Sequence, residues 1–77
     1  MEWIEILPLV REEYFRAIEK FGPFNTAHEG YAVILEEVDE LWEAIKGNKS
    51  ISAQKEEAIQ VAAMAIRFII DCCEPKE

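Results

Sequence analysis

The sequence holds one histidine, two cysteines, three glycines and three prolines in 77 residues. One His, with two adjacent thiols at Cys72 and Cys73, gives neither zinc-ligand spacing nor a disulfide framework. Reduced thiols in a cytoplasmic protein are the expectation. Basic residues are scarce: eight Lys plus Arg stand against sixteen Asp plus Glu, a formal net charge of −8. Such a surface repels phosphate backbones and anionic membranes, so neither nucleic acid nor membrane is an expected partner, whereas a cation is. Long apolar runs are missing too. The longest, Val61 to Ile66, is far too short to span a bilayer, and the N-terminus lacks the basic region and apolar core of a secretory leader. Strand-like alternation and internal repeats are absent.

What remains is helical periodicity, which predicts one all-α domain over residues 1–77 built from about three main helices. Leu9, Val10, Tyr14, Ala17, Ile18 and Phe21 recur at three- and four-residue steps, with Pro8 suited to a first helical position and Gly22-Pro23 to a stop. The stretch before Pro8 reads either as a short helical turn or as an apolar arm. Thr26 and Glu29 form a capping-box pattern that opens a second helix over 27–46, with a stripe of Tyr31, Ile34, Val38, Leu41 and Ile45 widened by Leu35 and Trp42. Gly47 and Asn48 are its expected caps. After a polar segment, Asn48 to Ser52, a third helix runs from about Ala53 to Cys73, and the tail from Glu74 to Glu77 is expected to fray. Between Ala58 and Ile70 only Gln60 and Arg67 are polar. A helix apolar nearly all round needs cover on every side, which two neighbours from one small chain do not supply. A bundle completed as a homodimer or homotetramer is therefore expected.

The acidic residues are not spread evenly. Glu36, Glu37, Asp39, Glu40 and Glu43 place like charges three and four residues apart, costing an isolated helix roughly 1–2.5 kcal/mol. At about 100° per residue, Glu37 borders the buried face with Glu40 about 60° away, while Glu36, Asp39 and Glu43 turn towards solvent. On the third helix Glu57, Gln60, Met64, Arg67 and Asp71 fall on one narrow strip. Buried polar side chains need partners, and facing carboxylates find them only through protons or a metal. Hard cations such as Mg²⁺ or Mn²⁺ suit an all-oxygen donor set.

The order Glu36-Glu37-x-x-Glu40 followed by Glu57-x-x-Gln60 resembles the EExxE…ExxD signature of MazG-like all-α nucleoside triphosphate pyrophosphohydrolases. The stretches Phe21-Gly22-Pro23-Phe24-Asn25, His28-Glu29-Gly30 and Glu57 to Met64 look like a short phage and bacterial branch of that family. The resemblance implies helices assembled as dimers or dimers of dimers, and magnesium among four acidic side chains. It also implies hydrolysis of a nucleoside triphosphate to monophosphate and pyrophosphate. Carried over, Glu37, Glu40 and Glu57 match metal ligands and Glu36 the leading Glu, a catalytic set of Glu36, Glu37, Glu40 and Glu57. Gln60 stands at the fourth ligand position, where the family has Asp.

Phe24, Asn25, His28, Arg67 and Asp71 complete the candidates, as substrate contacts. Arg67 either pairs with Asp71 one turn on or holds substrate phosphate as a planar fork donor. Trp3, Tyr31 and Trp42 read as packing residues. A non-catalytic helical oligomer that binds a nucleotide, metal or protein partner is the competing function, favoured by Gln60. A di-iron bundle needs Glu-x-x-His ligands, and the one His follows Thr26-Ala27.

Overall fold

The computed structural model describes residues 1–74 and is all-helical; the expected fraying of the tail falls, beyond Glu74, outside these residues. Helix α1 covers Trp3–Phe21, α2 Ala27–Lys46 and α3 Ile51–Phe68, and α3 runs on into a π-helical turn, Ile69–Cys73. Among the described residues no helix is long and apolar enough to cross a membrane.

Capping chemistry fixes most of the helix ends. Thr26 Oγ1 accepts the Glu29 N–H at 3.0 Å, and Glu29 reaches back to the Asn25 N–H at 2.7 Å. At the far end of α2, Asn48 takes a left-handed φ of 54°, so that the Asn48 and Lys49 amides close on the Ile45 and Ala44 carbonyls. Ser50 Oγ accepts from Ala53 N at 3.1 Å and starts α3 at Ile51, two residues earlier than the polar segment suggests. The larger correction concerns α1. It begins at Trp3, not at Pro8, so the stretch before Pro8 is helical and continuous with the rest of α1, with the Glu2 N–H bonded to Glu5 Oε1 at 3.0 Å. Pro8 sits just past the first turn, where its missing N–H frees only the Ile4 carbonyl. Ile4 and Pro8 are both exposed, so water can reach that group.

Helix α3 is the element on which both others pack, while α1 and α2 form no comparable contact with each other. Gly30 faces Phe68 and Glu37 approaches Glu57, so α2 and α3 run antiparallel. Small residues set their spacing. Ala44 and Ala63 are the most completely buried side chains, and a Cβ on Gly30 would lie 2.7 Å from Phe68 and 3.1 Å from Phe24. Val10, Ala17, Phe24, Ala63 and Met64 form the core.

The expected α2 stripe divides in two. Ile34 and Leu41 turn inward with Gly30, Val33, Glu37 and Ala44, whereas Tyr31, Leu35, Val38, Trp42 and Ile45 are all exposed. Helix α3 is likewise uncovered along Ala58, Ile66, Ile69 and Ile70. Among the described residues no large side chain is fully buried.

Gly22 closes α1, its N–H reaching the Ile18 carbonyl at 2.8 Å. Its φ of 73° and ψ of −173° lie in a region that side chains with a Cβ avoid. Gly22→Ala is expected to lower unfolding free energy by about 1–3 kcal/mol, read as an earlier urea midpoint at unchanged slope. An unaltered midpoint would refute that assignment of strain.

Candidate metal centre

The inward face of α2 carries Glu37 among apolar neighbours, because the 3.6-residue repeat that turns Gly30, Val33, Ile34, Leu41 and Ala44 to α3 turns Glu37 there as well. On α3 no member of the strip Glu57, Gln60, Met64, Arg67 and Asp71 is exposed. The close α2–α3 approach then brings Glu37, Glu40 and Glu57 together. Each offers a carboxylate oxygen, and the three oxygens lie within 4.8 Å of one another. Ligands of one Mg²⁺, at about 2.1 Å each, are about 3–4 Å apart, so small side-chain rotations would close this set on an ion. Glu40 is exposed and opens the centre to solvent, while Glu37 and Glu57 are half-buried.

The electrostatics are unfavourable as they stand. Burial, then the charge of Glu40, then smaller contributions from Glu57 and Glu36, push the Glu37 carboxyl from 4.5 up to about 7. Glu57 is raised for the same reasons, burial first and Glu40 second, with Lys49 opposing. One oxygen of Glu37 and one of Glu57 are buried with no hydrogen-bond partner among the described residues. Buried oxygens of this kind are costly unless something binds them. The donor set therefore fits a hard cation.

A cleft of about 530 Å³ adjoins the triad. Glu36, Glu37 and Gln60 line one end. Glu29 and Asn25 lie at the other, eight residues back along α2 or about 12 Å. Its α1 wall carries Glu13, Arg16 and Lys20, and Arg16 is ion-paired with Glu13. The sequence patterns above do not single out these residues, although Arg16 and Lys20 stand four residues apart and Lys20 lies three from the buried Ala17 on the same side of α1.

The remaining candidates are scattered. Phe24 is buried and Asn25 exposed, and both line the cleft; His28 is exposed and lies outside that lining. Glu36 is exposed at the rim, and Asp39 and Glu43 face solvent, where Glu43 pairs with Lys46. The Arg67–Asp71 pair is not formed. Arg67, 3% exposed, instead donates to the Gly22 carbonyl oxygen at 2.6 Å and touches the Met64 sulfur at 3.2 Å. The Asp71 carboxylate accepts the Phe24 N–H at 2.9 Å. The backbone groups of the α1–α2 link have claimed both side chains.

A carboxylate whose folded pKa lies above its unfolded one binds more protons in the fold, so its contribution is greatest below about pH 4.5 and is lost as pH rises through 7. Metal-free protein is expected to melt lower at pH 7.5 than at pH 5, and Glu37→Gln to flatten that slope. Millimolar Mg²⁺ or Mn²⁺ should restore stability at pH 7.5, because ligation takes the ionised carboxylates. Thermal melts with and without chelator check both, and a wild type indifferent to pH and metal would contradict the centre. No family model matches the chain, and no curated protein or solved structure matches it either, so this site is read from its own geometry.

Proposed function

We propose that the chain is a Mg²⁺-dependent nucleoside triphosphate pyrophosphohydrolase of MazG-like type, with Mn²⁺ a possible substitute. It converts (d)NTP to (d)NMP and pyrophosphate in the cytoplasm, where the Cys72 and Cys73 thiols stay reduced. The observation that carries this reading is the convergence of Glu37, Glu40 and Glu57, two of them with a buried unpartnered oxygen, beside a cleft long enough for a nucleotide. Glu37, Glu40, Glu57 and the amide oxygen of Gln60 would hold the metal. When bound, it neutralises phosphate oxygens and lowers the pKa of water. The chain's own groups do the rest. Glu36, at the rim and outside the triad, takes the proton of the attacking water. Lys20 presents positive charge along the opposite wall, where Arg16 is paired with Glu13, and Phe24 and Asn25 bound the far end.

Gln60 favours a second reading, a non-catalytic oligomer that keeps the fold and binds nucleotide, metal or protein. An amide oxygen ligates without adding charge, so on the hydrolase reading the site holds metal weakly until substrate phosphates complete the shell. Gln60→Asp is then expected to tighten Mg²⁺ binding without nucleotide, and Glu57→Gln to abolish pyrophosphate release. Calorimetric Mg²⁺ titration paired with pyrophosphate assays over a nucleotide panel separates the two. Metal-independent hydrolysis, or an active Glu57→Gln, sinks the hydrolase reading.

Assembly belongs to the same proposal. Tyr31, Leu35, Val38, Trp42 and Ile45 alternate four and three residues apart, the spacing of a helix–helix seam, yet all are exposed in one chain. The chain exposes 5837 Å², about a fifth more than the roughly 4,800 Å² of a typical folded monomer of this mass. A homodimer or homotetramer covering this row is expected by light scattering at micromolar concentration, with Trp42→Glu shifting it towards smaller species. A stable 8.9 kDa monomer would overturn the assembly.

A further inference from the structure

The link between α1 and α2 is fastened to α3 at three points. Asp71 accepts the Phe24 N–H at 2.9 Å, Arg67 donates to the Gly22 carbonyl oxygen at 2.6 Å, and the Arg67 guanidinium lies 4.0 Å from the centre of the Phe24 ring. Gly22 can turn its carbonyl this way because it lacks a Cβ. Phe24 is wedged from the other side by the bare backbone of Gly30 and by Phe68.

The choice of arginine here is not explained by packing. Arg67 is 3% exposed and, among the described residues, has no carboxylate partner and no hydrogen-bond acceptor for its Nε. An apolar side chain of similar volume would fill the space at lower electrostatic cost, since buried charge is expensive and its replacement by hydrophobic residues is often neutral or stabilising. What a fork of donors adds over an apolar plug is a fixed position for what it binds. The groups bound are the backbone of Gly22 and the ring of Phe24, and Phe24 with Pro23 and Asn25 forms the end of the cleft about two turns of α2 from Glu37.

The geometry points to Arg67 and Asp71 as positioning residues that clasp Gly22–Phe24 to α3 and thereby set the wall against which the nucleoside end of a nucleotide rests. The inference depends on the reading that the triad is the phosphate end. Asp71 acts entirely through Phe24, as it does not line the cleft.

Asp71→Ala and Asp71→Asn test this without emptying the core, as Arg67→Ala would. Five quantities are measured: hydrogen exchange of the Phe24 amide, affinity for Mg²⁺ alone, the Kd of a non-hydrolysable nucleoside triphosphate, and the KM and kcat of its hydrolysable parent. Asp71→Ala is expected to speed exchange at Phe24 and to raise Kd and KM about tenfold, the scale of one lost hydrogen bond to position. Its kcat and Mg²⁺ affinity should stay near wild type. Asp71→Asn, which keeps an acceptor oxygen, should recover most of the nucleotide affinity. Unchanged Kd and KM in Asp71→Ala would overturn the proposal, as would a parallel loss of Mg²⁺ affinity or a failure of Asp71→Asn to rescue. If wild type binds the analogue but releases no pyrophosphate, the hydrolase reading fails alone, and the Kd ratio and exchange rate still decide the clasp. A wild type that does not bind the analogue overturns both.

Discussion

The close approach of α2 to α3 is the constraint from which the other features follow. It is possible because Gly30, Ala44 and Ala63 put almost no side chain between the helices. With bulkier residues there, the two helices would stand further apart and Glu37 and Glu57 would be ordinary solvated carboxylates. At this spacing they share one dielectric environment with Glu40, and their ionisation becomes a joint property. Stability and cation affinity are thus opposite sides of one arrangement: the packing that buries the core also crowds the negative charge.

That crowding explains an architecture short of interior. Residues that would form a core in a larger protein are exposed, and the most buried positions are alanines. A chain of this size cannot surround its central helix with two others, and the −8 charge further disfavours a compact lone subunit. In the proposed assembly and metal site, partner subunits would cover the apolar surface and a bound cation would offset the charge.

Much of this was legible in the sequence, and the parts that were not have separate causes. Helix periodicity identifies three helices and places Glu37, Glu40 and the strip from Glu57 to Asp71 on facing sides, because side-chain direction in a helix is fixed by residue number. The rule that sets Pro8 at a first helical position misplaces the start of α1, since a proline just past a solvent-facing first turn loses only one bond. Tyr31 and Ile34 look like members of one stripe until the inward face is known, because a wide apolar arc does not say which part of it a neighbour covers. The partners of Arg67 and Asp71 were hidden for a different reason. They are backbone atoms in a five-residue link whose path depends on one glycine conformation, and side-chain chemistry alone made the two residues look like each other's partners.

The π-helical turn after Phe68 also governs how the chain tolerates changes of length. Asp71 lies within it and must meet an amide 47 positions earlier in the sequence. Removing one residue between Arg67 and Asp71 would swing the carboxylate by about 100° around the helix and release Phe24. The Gly47–Ser50 connection, by contrast, makes only local bonds, and an inserted residue there leaves the register of both helices intact. Sequence drift by insertion is therefore open to one end of α3 and closed to the other.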